Sequence, residues 1–232
     1  SAFMRKMLSL ILSSDPGIEI VGTAMDGLFA LKKIRDIKPD VITLDINMPR
    51  MDGIETLRHI VKDFGIPAII VSSLSRKDAE LTFRALEMGA FDFITKPQDA
   101  ISVHIHEIGD ELIEKVKAAF KNPAAGLRVK KINASIEPKR SVIPHKEKRT
   151  FIDKRHADRL LVIGASTGGP NALSYLLPQI PEDFAVPIAV VQHMPAGFTE
   201  MFAARLNSLC QIEVKEAEDG DLLVPGRALI AP

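Results

Sequence analysis

Ser166 lies in Gly164-Ala165-Ser166-Thr167-Gly168, which fits G-x-S-x-G, between an apolar run at 160–163 and Pro170, well placed to open a helix. A serine lifted on a tight turn between strand and helix becomes a nucleophile when a neighbouring base takes its proton. His193 offers an imidazole at a matching position, just past the apolar run Ile188-Ala189-Val190-Val191. If both runs are strands of one sheet, hydroxyl and imidazole reach the same rim, as serine activation by histidine requires. The serine would attack an acyl carbon, and the histidine would pass the proton to the leaving alcohol. The N–H of Thr167, next after the nucleophile at a helix start, is a candidate oxyanion donor. Alone, the motif also serves as a plain glycine turn, and a single histidine as a cap or core residue. The pair in matching topology is what points to ester hydrolysis. Two other motifs fail on spacing. A P-loop needs Gly-Lys-Ser/Thr, but Gly169 is followed by Pro170; a dinucleotide fingerprint needs G-x-G-x-x-G, but Gly164 is followed by Ala165 and Ser166.

A second constellation lies in the first half. Asp45, Ser72 and Lys96 each follow a short apolar run, so three strands would bring a carboxylate, a hydroxyl and an ammonium to one rim. That set suits a carboxylate that becomes an aspartyl phosphate. The lysine would neutralise phosphoryl oxygens and the hydroxyl would hydrogen-bond one of them.

The elements that must position these residues are legible from periodicity. Phe3, Met7, Leu8, Ile11 and Leu12 predict a helix over 2–13, ending before Asp15-Pro16-Gly17. Strands are expected at 18–24, 41–44, 68–71 and 90–94, and helices at 28–37, from Gly53 to about Phe64, at 76–88, and from Ile105 to Phe120. After Asp158 come a buried strand at 160–163, a helix at 170–177, a strand at 187–191, a helix at 197–209, and short strands at 212–214 and 228–231. Alternating strand and helix imply α/β architecture with parallel sheets covered on both faces.

Residues 122–158 break the rhythm. They combine Pro123, Pro138 and Pro144 with Lys130, Lys131, Lys139, Arg140, Lys146, Lys148, Arg149, Lys154 and Arg155. This composition reads as a basic linker between domains at 1–121 and 159–232. No aromatics interleave with its charges and no recognition fold adjoins it, so no nucleic-acid partner is expected.

Bulk composition limits the rest. The 232 residues are 46% hydrophobic and 26% charged with zero net charge, enough apolar content for real cores and no global pull toward nucleic acid or anionic membrane. The single cysteine, Cys210, is expected inside a helix packed on the core and points to a reducing compartment. No apolar run reaches the roughly 20 residues of a membrane helix, and the N-terminus lacks a secretion-signal layout, so a soluble cytoplasmic protein without membrane insertion is expected. His104 and His106, two apart on a helix, make a poor metal pair. His59, His145 and His156 receive no role either.

With Met48-Pro49, Met51-Asp52-Gly53 and Lys96-Pro97 added to Asp45 and Ser72, residues 1–121 resemble the receiver domain of bacterial two-component response regulators. The resemblance implies Asp45 as phosphoacceptor, Ser72 as switch hydroxyl, Lys96 as the ammonium and Phe93 as the aromatic that changes rotamer. It also implies Mg²⁺, held by Asp45 and by the backbone carbonyl of Asn47. Receivers begin with a strand ending in paired acidic residues that hold the metal. This chain starts after it, at Ser1-Ala2-Phe3-Met4-Arg5.

Gly164-Ala165-Ser166-Thr167-Gly168-Gly169-Pro170, Gln192-His193-Met194-Pro195 and the stretch from Asp219 to Gly226 look like the catalytic domain of the chemotaxis protein-glutamate methylesterases, the CheB family. The expected fold is thus two doubly wound parallel-sheet domains: a flavodoxin-like receiver lacking its first strand, then a Rossmann-like methylesterase domain lacking its C-terminal part. The resemblance implies Ser166 as nucleophile, His193 as general base, and hydrolysis of γ-glutamyl methyl esters on chemoreceptors, with deamidation of receptor glutamines as a further family activity and no cofactor for the ester step. Phosphorylation of Asp45, with a chemotaxis histidine kinase as phosphodonor, would relieve a blockade of the Ser166 rim. The family's third catalytic residue, an aspartate, would lie beyond Pro232. Asp183, Asp219 and Asp221 match no such position, so an excerpt with these ends is expected to be nearly inactive alone. Two outputs compete with this one: a non-enzymatic effector and a different serine hydrolase.

Overall fold

The computed structural model describes residues 2–96, 104–122 and 159–232, with the side chains of 104–107 left aside. The chain divides into two compact units, residues 1–130 and 131–232.

In the first unit, α1 (Ala2–Ser13) and α2 (Gly27–Ile37) precede β1 (Ile42–Asp45). Asp26 caps α2 by accepting the Phe29 N–H, and Lys38 ends it in the left-handed region. Next come α3 (Gly53–His59), one π-helical turn (Ile60–Phe64), β2 (Ala68–Ser72), α4 (Arg76–Glu87), β3 (Asp92–Thr95) and α5 (His104–Lys121). The three strands are parallel in the order β1-β2-β3. All of β2 is buried, as the apolar run Ala68-Ile69-Ile70-Val71 predicts for a central parallel strand. Ile69 and Val71 pack into a cluster with Leu12 of α1 and Leu112 and Ala119 of α5. The alternate residues face the side where α3 meets β1 and α4 meets β2 and β3.

Two readings of this unit are corrected. Residues 18–24 form no strand: Ile18 and Ile20 pack against the core cluster, yet the segment joins no ladder. Alternating apolar residues make a strand only where a neighbour supplies hydrogen bonds, and β1 pairs with β2 alone. The helix after Gly53 does reach Phe64, but its last five residues widen to π geometry before Gly65 ends it at positive φ.

The second unit comprises β4 (Leu161–Ala165), α6 (Gly169–Leu176) with a 3₁₀ turn (Leu177–Gln179), β5 (Ile188–Gln192), α7 (Phe198–Leu209), β6 (Glu213–Glu216) and β7 (Arg227–Ile230). Its four strands are parallel in the order β4-β5-β7-β6. Leu173, Leu177, Phe198, Phe202, Leu206, Ile188 and Ile230 are fully buried. The expectation of a buried strand at 160–163 fails: Leu160, Leu161 and Val162 are exposed. An apolar run reports β propensity, whereas burial depends on what covers the strand, and β4 is the edge. Cys210 caps the C-terminus of α7 rather than lying inside it, and burial pushes its thiol up to about 12. No helix among the described residues is long and apolar enough to cross a membrane.

Candidate catalytic and phosphorylation sites

Asp45 closes β1, and Lys96 follows β3 directly. The Lys96 N–H continues the β2–β3 ladder by donating to the Ser72 carbonyl at 2.7 Å, which fixes where its side chain leaves the sheet. The ammonium then donates to both Asp45 carboxylate oxygens, at 2.8 and 2.7 Å. Both groups keep about a fifth of their side-chain surface open, so the pair can still meet a small anion.

The loop after β1 is built around that carboxylate. The Asn47 N–H donates to Asp45 Oδ1 at 3.0 Å, and the Gly53 N–H donates to the Ile46 carbonyl at 2.8 Å. A Cβ on Gly53 would stand 2.2 Å from the Asp45 carbonyl oxygen, so only glycine lets α3 start this close to β1. Arg50, at positive φ, reaches back to the Asp26 carboxylate and lies 5.0 Å over the Phe29 ring. Asp26 is wholly buried, which raises its carboxyl, but the Phe29 N–H and the Arg50 guanidinium outweigh burial and hold it below the usual range.

A residue that sequence reasoning passed over ties the two loops together. Asp78, buried in the first turn of α4, accepts from Asn47 Nδ2 at 3.0 Å, from Ser75 Oγ at 2.8 Å and from Ser73 Oγ. Burial alone would raise its carboxyl; the Ser73, Asn47 and Ser75 hydrogen bonds and the nearby Lys96 charge bring it below the usual value.

Ser72 ends β2 at the expected rim, but its hydroxyl is engaged away from Asp45. It accepts from Thr82 Oγ1 at 2.8 Å and faces the Ser73 and Asp78 carbonyls at 3.3 and 3.4 Å. Phe93 points inward, edge-on to Phe83 with ring centroids 6.4 Å apart. The Lys115 ammonium stands 5.6 Å over the Phe93 ring and pairs with Asp92 at 3.1 Å and Glu111 at 3.2 Å. Lys115 was missed because a lysine on a striped helix reads as solvated; only its i,i+4 spacing from Glu111 hinted at a partner.

In the second unit the β4–β5 register pairs Gly164 with Val191 and Ala165 with Gln192. Ser166 and His193 are therefore the next residues on neighbouring parallel strands, about 4.8 Å apart in backbone spacing. The His193 N–H donates to the Ala165 carbonyl at 3.0 Å, carrying the ladder one step past the strands. Gly164 lies within β4, so the turn itself is Ser166-Thr167-Gly168, with Gly168 at φ 74° as the cap of α6. Ser166 and His193 are exposed, and neither the hydroxyl nor the imidazole has a partner among the described residues. The Thr167 N–H is likewise uncommitted among them, beside the N-terminus of α6. Asp221 is taken by the Glu218 N–H at 2.7 Å and by Lys215 at 3.1 Å, which leaves it to its own loop. No described carboxylate hydrogen-bonds His193. Of the other histidines, His59 pairs on the surface with Asp63, His104 and His106 fall in α5, and His145 and His156 lie outside the described residues.

Family profiles match both units: the response regulator receiver domain over residues 1–106 and the CheB methylesterase over residues 161–232. The chain is therefore similar to receiver domains in its first unit and to CheB methylesterases in its second. Proteins named protein-glutamate methylesterase/protein-glutamine glutaminase from Koribacter versatilis and Bacillus subtilis are 49% and 46% identical over the whole of this chain. The chain spans 63% and 64% of their lengths. Among solved structures, the response regulator domain of Thermotoga maritima CheB is 47% identical, covering 52% of this chain and 90% of that one with a TM-score of 0.48. The CheB catalytic domain of the same organism is 53% identical, covering 32% of this chain and 39% of that one with a TM-score of 0.31. Each of the two parallel α/β units carries its candidate residues at or beyond the carboxyl ends of its strands.

Proposed function

We propose that the full-length protein hydrolyses γ-glutamyl methyl esters on chemoreceptors, and deamidates receptor glutamines, under control of phosphorylation at Asp45. The observation that carries the ester reading is the placement of Ser166 and His193 side by side beyond adjacent parallel strands. The identity of the whole chain to proteins of that name supports it.

In the acyl step, the His193 imidazole takes the Ser166 proton as Oγ attacks the ester carbonyl carbon. The carbonyl oxygen gains negative charge, and the Thr167 N–H at the start of α6 is placed to stabilise it. Collapse breaks the C–O bond, and His193 returns the proton to the leaving methanol. Water then enters by the same route and frees the glutamate. Methanol is small, so recognition falls to docking of the receptor rather than to a deep pocket.

In the receiver, an Asp45 carboxylate oxygen attacks the phosphorus, the bond from phosphorus to the donor breaks and the dephosphorylated donor leaves, and Lys96 turns from the carboxylate to the phosphoryl oxygens. Ser72, Lys96 and Phe93 take the switch roles that receivers give these positions. The Asp45 carboxylate and the Asn47 carbonyl are hard oxygen donors that fit Mg²⁺, which would neutralise phosphoryl charge. A histidine kinase of the chemotaxis system is the fitting phosphodonor, and residues 122–158 serve as the connector between the two domains. Methanol release from methylated receptor membranes, measured with and without acetyl phosphate and Mg²⁺, tests both halves. Stimulated release is expected; fast hydrolysis of small esters with intact receptor methylation would overturn the substrate assignment.

A further inference from the structure

We propose that Gln192 is a positioning residue that sets the distance between Ser166 and His193. The inference rests on reading those two as nucleophile and base. Gln192 is the last residue of β5, paired with Ala165 and directly before His193. Its side chain is buried, with 5% of the residue exposed. The amide Nε2 donates to the Ser166 carbonyl at 3.1 Å and to the His193 carbonyl at 3.0 Å. An NH₂ group has two donors, so one is spent on the turn that carries the nucleophile and the other on the turn that carries the base.

The His193-to-Ala165 bond is the last backbone link, and Ser166 and His193 come after it or carry it. The acceptor end of the amide points the other way. Oε1 is buried and has no hydrogen-bond partner among the described residues. Turning the amide over would put Oε1 against two carbonyl oxygens, so the donors hold this orientation at the expense of the acceptor. Gly169 makes room for it: a Cβ there would stand 1.9 Å from Oε1. A residue kept only to fill this space would be apolar, because an orphaned buried acceptor weakens a fold. What the amide adds is a fixed separation of two main-chain carbonyls, and through them of the attacking hydroxyl and the imidazole.

The test uses the full-length protein and a fluorophosphonate that labels an activated serine, with Gln192→Met, Gln192→Glu and Ser166→Ala compared with wild type across pH. Gln192→Met keeps the volume and drops both donors. It is expected to melt no lower than wild type, to label about 10²-fold more slowly, and to lower kcat with KM unchanged, the size of effect that a small misplacement causes. Gln192→Glu keeps one O–H donor while protonated and none once ionised. Its labelling rate relative to wild type should fall tenfold or more as its carboxyl ionises, a limb that a purely structural role would not add. Folded Gln192→Met that labels within twofold of wild type would overturn the proposal. A pH-independent ratio for Gln192→Glu would do the same where the methionine variant does not fold. Full labelling of Ser166→Ala would instead remove the nucleophile assignment underneath.

Discussion

Ser166 and His193 each follow the last paired residue of neighbouring parallel strands, Ala165 and Gln192, and the His193 N–H closes onto the Ala165 carbonyl at 3.0 Å. A nucleophile and base that act as a unit lose activity together. In the full-length protein, Ser166→Ala and His193→Ala should each cut methanol release by about 10³–10⁶-fold, and the double variant should be no worse than either. Additive losses would show that the two do not act in one step.

The Lys96 ammonium holds both oxygens of Asp45, the proposed phosphoacceptor. Asp45→Asn should abolish labelling of full-length protein by acetyl phosphate with Mg²⁺. Lys96→Gln should slow labelling by about 10–100-fold, the loss of one charge-assisted contact worth roughly 1.5–3 kcal/mol. Unchanged labelling of Asp45→Asn would move the phosphosite elsewhere.

Asp78 links pH to the stability of the loops around Asp45. Its carboxyl is held below its ordinary value of 3.8, despite burial, by Ser73, Asn47, Ser75 and Lys96. A lowered folded pKa means the ionised form is favoured in the fold, so this stability is full above the unfolded value and lost as pH falls through the folded one. Denaturant midpoints measured from pH 7 down to 2 should fall more steeply for wild type than for Asp78→Asn, and the two curves should converge at the acid end. Parallel curves would exclude the linkage.

Lys115 is 5% exposed and stands beside Asp92, itself 1% exposed. Removing the lysine takes the ammonium at 3.1 Å from a buried carboxylate that keeps the Phe93 N–H, so Lys115→Met should lose about 3–5 kcal/mol in urea unfolding. Lys115→Met with Asp92→Leu should recover most of that loss, since a well-packed apolar pair replaces a buried ion pair at little cost. A harmless Lys115→Met would mean that water reaches the site.

The sequence alone determined the alternation of strands and helices, the strand-end positions of Asp45, Ser72, Lys96, Ser166 and His193, and hence which residues the two proposed chemistries draw on. These follow from local periodicity and from the rule that parallel strands present their carboxyl ends on one edge. What the tertiary structure decided was every relation that depends on a distant partner. Residues 18–24 alternate like a strand but meet no ladder, and the apolar start of β4 lies exposed at an edge. Ser72 turns its hydroxyl to Thr82, Asp78 reaches Asn47 thirty-one residues away, and Gln192 spans two turns, contacts that no local pattern announces. The reason is physical: propensity is set by the nearest few residues, whereas burial and hydrogen-bond partnership are set by which chains of atoms the fold brings within about 3 Å.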